Sequence, residues 1–87
     1  MPLVSYFNGI QVYMYYHEHG TAHFHVYYQE FKASIDIESG KILRGSLPLP
    51  AQRQLEGWRK LHYDALMRNW RLARFGEPLK AIPGAQS

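Results

Sequence analysis

Cysteine is absent from the 87 residues of this chain. That excludes a disulfide scaffold, a thiolate metal site and a cysteine nucleophile, and it accords with a reducing compartment. No apolar run approaches the roughly 18 residues of a spanning helix, and the first residues have neither the charged segment nor the apolar segment of a secretory leader. The expectation is a soluble cytoplasmic domain with no membrane partner. Carboxylates are few, seven in all, and no spacing among them suggests a paired acid and base. A Gly-rich phosphate loop, a Gly-x-Ser-x-Gly elbow, a dinucleotide fingerprint and a His-Glu-x-x-His helix are all missing. Most familiar enzyme classes are thereby disfavoured.

What is present is 46% hydrophobic and 20% charged, an ordinary globular balance. The length fits one domain whose core must be made by few residues. We expect that domain over residues 1–78, followed by a flexible Pro/Gly-containing tail over 79–87. Charge is unevenly divided. Lys32, Lys41 and Arg44 against Glu18, Glu30, Asp36 and Glu38 leave residues 1–49 at −1. Arg53, Arg59, Lys60, Arg68, Arg71 and Arg74 against Glu56 and Asp64 leave residues 50–76 at +4. Of that basic half, Arg59, Lys60, Arg68, Arg71 and Arg74 are candidates for a phosphate or an acidic partner, with a solvated helix face as the alternative.

Turn signals divide the first half. Asn8-Gly9 suits a two-residue hairpin, pairing Val4–Phe7 with Ile10–His17. Ser39-Gly40 suggests a second, pairing Lys32–Glu38 with Lys41–Arg44, and His23–Gln29 is aromatic and β-branched like a strand. Alternation puts Ile10, Val12, Met14, Tyr16, Phe24, Val26, Tyr28, Ala33, Ile35 and Ile37 on a core face. Tyr13, Tyr15, His17, His23, His25 and Tyr27 fall on the other. After Leu47 the period changes, with Leu55, Trp58, Leu61, Ala65, Leu66, Asn69, Trp70 and Ala73 at three- and four-residue spacing. That run is one long helix, or two broken near His62–Asp64. The fold class expected is α+β: an antiparallel meander sheet of four or five strands with one or two C-terminal helices packed on one face.

Four of the five histidines lie within nine residues, His17-Glu-His19-Gly-Thr-Ala-His23-Phe-His25. A three-residue loop, Gly20-Thr21-Ala22, sets His19 opposite His23 and His17 opposite His25, and Met14 opposite Tyr28. Three uses compete. Converging imidazoles can hold a divalent metal, zinc or nickel. His23 and His25 can act as acid and base on a phosphodiester. The imidazoles can also simply stack among tyrosines. Alternation turns Glu18 to the core side, which excludes it from the ligand set, and His62 reads as a helix-boundary residue. Tyr13, Tyr15 and Tyr27 beside the histidines form an aromatic face of the kind that contacts a protein partner. Unpaired bases are the other class such a face can stack.

The pieces Phe7-Asn-Gly-Ile10, Met14-Tyr-Tyr leading to His19, His23-Phe-His25-Val, Ala33-x-Ile-Asp-Ile-x-x-Gly40 and Gly45-x-Leu-Pro48 resemble the bacterial family catalogued as domain of unknown function 4160. So do Trp58-x-x-Leu-His62, Leu66-x-x-Asn69-Trp70 and Gly76-Glu-Pro78. The resemblance implies no activity. It implies a protein partner, because members' genes often stand beside a second small gene in a layout similar to a toxin–antitoxin pair. His19, His23 and His25 match the family's own histidines, whereas Thr21-Ala22 stands in place of two prolines and His17 in place of an acidic or polar residue. A shared metal site would therefore rest on His19, His23 and His25. The leading expectation is an interaction module, one member of a two-gene regulatory or toxin–antitoxin-like pair, or a self-associating protein. Its contact face would be Tyr13, Tyr15, His17, His19, His23, His25 and Tyr27. The rivals are an RNA-binding or RNA-cleaving protein and a divalent-metal site.

Overall fold

Asn8 and Gly9 take φ values of 50° and 78°, the left-handed pair that a type I′ turn requires. In the computed structural model, which describes residues 2–84, this turn joins β1 (Leu3–Phe7) to β2 (Ile10–Tyr13), with Phe7 opposite Ile10. Then follow β3 (His23–Tyr28), β4 (Phe31–Asp36) and β5 (Ile42–Gly45). Each strand pairs antiparallel with the next, so the spatial order is the chain order. The β4–β5 turn is held by the Asp36 carboxylate, which accepts hydrogen bonds from the Ser39 N–H at 2.8 Å and the Ser39 hydroxyl at 2.7 Å.

Two helices complete the α+β fold, α1 (Leu49–Leu61) and α2 (Tyr63–Arg74), with the break at His62. Pro50 sits in the first turn of α1, where its missing N–H costs no hydrogen bond. The apolar stripe of both helices covers the alternate residues of the sheet. Trp58 packs its ring 5.3 Å from Phe7 and 5.9 Å from Phe24, and Leu55, Leu66 and Trp70 join Ile10, Val12, Met14, Val26, Ile35 and Ile37 in one buried cluster. Each such aliphatic or Phe side chain contributes about 1.5–3 kcal/mol relative to exposure. Among the described residues both helices pack on this one face, and over the opposite face passes the Met14–Ala22 connection.

Three expectations need correction. The first concerns register. Tyr28 stands opposite Ile10, and His25 opposite Tyr13, four residues from the expected pairing of Tyr28 with Met14. Because side chains alternate with period two, an even shift leaves the residues within the paired strands on their predicted faces while changing their partners. β2 ends at Tyr13, where β1 ceases to accompany it, so Met14–Ala22 is a connection and not a strand with a three-residue loop.

The second is Tyr16, which the connection turns outward (40% exposed) and away from the core. The third is the tail. Residues 79–84 are fastened: Ile82 is buried and its N–H donates to the Val4 carbonyl at 2.8 Å. The Trp58 indole N–H donates to the Pro83 carbonyl at 2.8 Å. Asn69 donates to the Lys80 carbonyl and accepts the Lys80 N–H, at 2.8 and 3.0 Å. Buried polar groups of the helices needed partners, and the chain past Pro78 supplies them along the outer edge of β1. Residues 85–87 of the expected tail lie outside the described residues. Among the described residues no helix is long and apolar enough to cross a membrane.

Candidate metal centre on the open sheet face

His23 and His25 are two residues apart on β3 and point to the open face together. The chain arrives above them through the Met14–Ala22 connection. His17 adopts φ 60° and donates its N–H at 3.2 Å to the Ala73 carbonyl at the end of α2, which also accepts the Gly76 N–H. That left-handed residue breaks the strand alternation. Glu18 therefore swings back over the open face instead of the core.

The result is a convergent trio. Glu18 Oε1 lies 2.7 Å from His25 Nε2 and 3.3 Å from His23 Nε2. One potential ligand atom from each of the three lies within 4.8 Å of the others. All three side chains are partly buried, with 26%, 13% and 21% exposure for Glu18, His23 and His25. The far ring nitrogens are held from behind. His23 Nδ1 is 2.7 Å from the Thr21 carbonyl and His25 Nδ1 is 3.3 Å from the Ser34 hydroxyl. Such outer hydrogen bonds orient metal-binding imidazoles and leave Nε2 to the ion.

The proton inventory of the trio does not close with neutral rings. The Thr21 carbonyl can only accept, so His23 Nδ1 carries the hydrogen. A neutral His23 then turns an unprotonated Nε2 toward the carboxylate oxygen, an acceptor facing an acceptor at 3.3 Å. His25 can satisfy its own side, donating from Nε2 to Glu18 while Nδ1 accepts from Ser34. A positive charge between His23 and Glu18, a proton or a metal ion, removes the conflict.

Tyrosines wall the trio on one side. Tyr15 lies edge-on to His25 with ring centroids 4.7 Å apart, stacks on Tyr13 at 6.2 Å, and shares a 3.3 Å hydrogen bond with the Tyr27 hydroxyl. Burial, then the hydrogen bond to Tyr27, push its phenol above the ordinary value of 10.0, so it stays neutral.

Of the expected contact face, Tyr13, Tyr15, His23, His25 and Tyr27 come together as predicted. His17 does not join them: it is exposed and its ring leans on Tyr16 at 6.4 Å and beside Gly76. His19 is exposed and edges the depression over the trio, but it is not one of the three converging groups. The third donor beside His23 and His25 is Glu18, which strand alternation had excluded. His62 stands apart, packed against Trp58 at 5.6 Å.

The basic set divides as well. Lys60, Arg68, Arg71 and Arg74 are exposed on the helix layer. Arg59 is buried and donates to both Glu56 carboxylate oxygens at 2.8 and 2.6 Å, to the Ile37 carbonyl at 2.7 Å and to the Glu38 carbonyl at 3.1 Å. With its donors so engaged, Arg59 ties α1 to the end of β4 and is not offered to a phosphate or an acidic partner.

The family model described as "Domain of unknown function (DUF4160)" matches residues 9–71. That span contains Glu18, His23 and His25 and ends before the segment that covers β1. Neither the curated proteins nor the solved structures contain a match.

Proposed function

We propose, for a chain that belongs to the Domain of unknown function (DUF4160) family, that Glu18, His23 and His25 bind a divalent transition-metal ion, zinc or nickel, on the open sheet face. The observation that carries this reading is the convergence of Glu18 Oε1 with His25 Nε2 at 2.7 Å and His23 Nε2 at 3.3 Å, the far nitrogen of each ring being held by the Thr21 carbonyl or the Ser34 hydroxyl. A tetrahedral ion at about 2.0–2.1 Å from each ligand keeps donor atoms about 3.3 Å apart. The His23–Glu18 separation is already 3.3 Å, and the 2.7 Å His25–Glu18 contact needs to open by only about half an ångström. Two imidazoles and one carboxylate leave at least one coordination position for water or substrate, unlike a closed structural site. Elemental analysis of tag-free protein tests it. About one metal per chain is expected, lost in His23→Ala and retained in His62→Ala. Equal loss in both variants would mean incidental surface binding.

A second reading is supported by a different observation. Both helices pack on the other side of the sheet, and Tyr13, Tyr15 and Tyr27 form a partly exposed aromatic patch that no helix among the described residues covers. This patch suits a cytoplasmic interaction module in a two-gene, toxin–antitoxin-like pair. Tyr27→Ala should then abolish co-purification with the neighbouring gene's product, and a complex that survives the substitution would remove the reading.

A further inference from the structure

The depression above the trio is one half of a longer groove. About 360 Å³ lies over Glu18, His19, His23 and His25, and about 320 Å³ lies over Tyr27, Lys32 and Gly45. The two share His25, Ser34 and Arg44. These three stand in a row across the sheet, since His25 pairs with Ser34 and Ser34 with Arg44. Residues directly opposite in antiparallel strands point to the same face. Strand spacing of about 4.8 Å puts Arg44 about 10 Å from His25 along that row.

The groove's charges are unbalanced. Among the described residues Arg44 and Lys32 make no side-chain hydrogen bond and no salt bridge within the limits of either interaction. Among the residues that line the groove the one carboxylate is Glu18, and it is engaged with the two histidines. A divalent ion on Glu18, His23 and His25 would leave that end with one net positive charge.

We infer that the groove binds a phosphoryl group, one oxygen on the metal ion and another on the Arg44 guanidinium, with Lys32 completing the cationic side. The inference rests on the metal reading above. A phosphoryl group carries oxygens on opposite sides of its phosphorus, so it can bridge an ion at the trio and a guanidinium two strands away. Arg44 supplies a planar fork of donors suited to it. The source is a small phosphate monoester or the backbone of a nucleic acid.

The test uses the full chain loaded with one equivalent of cobalt(II), whose visible absorption reports its ligands, and inorganic phosphate as the probe at fixed ionic strength. Phosphate should change the cobalt spectrum saturably. Arg44→Gln, on an exposed edge strand, should weaken that response by about tenfold or more with cobalt stoichiometry unchanged, and acetate should bind at least about tenfold more weakly than phosphate. Phenyl phosphate and the dinucleotide UpU then compete against phosphate: stronger competition by the first identifies a monoester, by the second a nucleic-acid backbone. Cobalt bound with no phosphate response, an unaltered response in Arg44→Gln, or acetate equal to phosphate would each overturn the inference while leaving the metal site standing. Failure to bind cobalt at all would overturn both.

Discussion

Gly45 has φ 80°, and a Cβ placed there would run into the Lys32 carbonyl on the neighbouring strand. Backbone cannot give way as a flexible side chain can, so Gly45→Ala should cost at least about 2 kcal/mol from the left-handed conformation and the clash together. Gly57 is the contrary case. It lies within α1 with nothing near its missing Cβ, and Gly57→Ala should stabilise by about 0.5–1 kcal/mol. Urea denaturation of the two variants measures both signs. Single residues also mark where sequence reasoning succeeds and stops. Strand alternation alone places Tyr13, His25 and Tyr27 on one face, because period two is a property of the strand itself. Glu18 was not legible, since its direction depends on the φ of 60° at His17, and that residue is held by a carbonyl of Ala73 far along the chain. Arg59 was not legible either: whether a helix arginine meets solvent or the Ile37 and Glu38 carbonyls depends on how the helix lands on the sheet.

At the scale of elements, the segment after α2 covers the outer edge of β1. The Ile82 N–H reaches Val4, the Pro83 carbonyl receives Trp58, and Lys80 pairs twice with Asn69. Truncation after Pro78 would leave the Trp58 and Asn69 side chains without partners in a buried setting and bare an edge strand. We expect a loss of about 3–5 kcal/mol from those hydrogen bonds and the Ile82 side chain, read as a lower urea midpoint, together with association of the truncated chain. Unchanged stability on truncation would show that the segment merely lies against the domain. The Asn8-Gly9 hairpin and the helical run after Leu47 were readable because local turn chemistry and period decide them, whereas the sequence left open whether that run is one helix or two, and the structure breaks it at His62. The length of the β2–β3 connection was not, because β2 ends where its partner β1 ends, a matter of pairing between elements.

For the whole molecule, two carboxylates couple folding to acidity. The Arg59 hydrogen bonds hold the Glu56 carboxyl below its ordinary value of 4.5, and the Ser39 hydroxyl holds Asp36 below 3.8. Both folded-state values lie below the unfolded ones. Their stabilisation is therefore fully present above the unfolded values and is lost as pH falls from about 4.5 through the folded values. Urea midpoints measured between neutral pH and pH 2 should decline over that acidic window, and Glu56→Gln should flatten the decline. A variant that keeps the full acid sensitivity would assign it to other groups.

Glu18, His23 and His25 converge beneath the Met14–Ala22 connection, with the His23 ring 5.1 Å from Trp70 of α2, and the metal reading stands or falls with Glu18 as the third ligand. The most direct measurement is metal stoichiometry, by elemental analysis, of tag-free wild type, Glu18→Gln and His19→Ala. About one equivalent in the wild type and in His19→Ala, and at most a small fraction of it in Glu18→Gln, is the predicted pattern. Full occupancy in Glu18→Gln with loss in His19→Ala would contradict it, and would give the site to the three histidines that the sequence alone brings to notice.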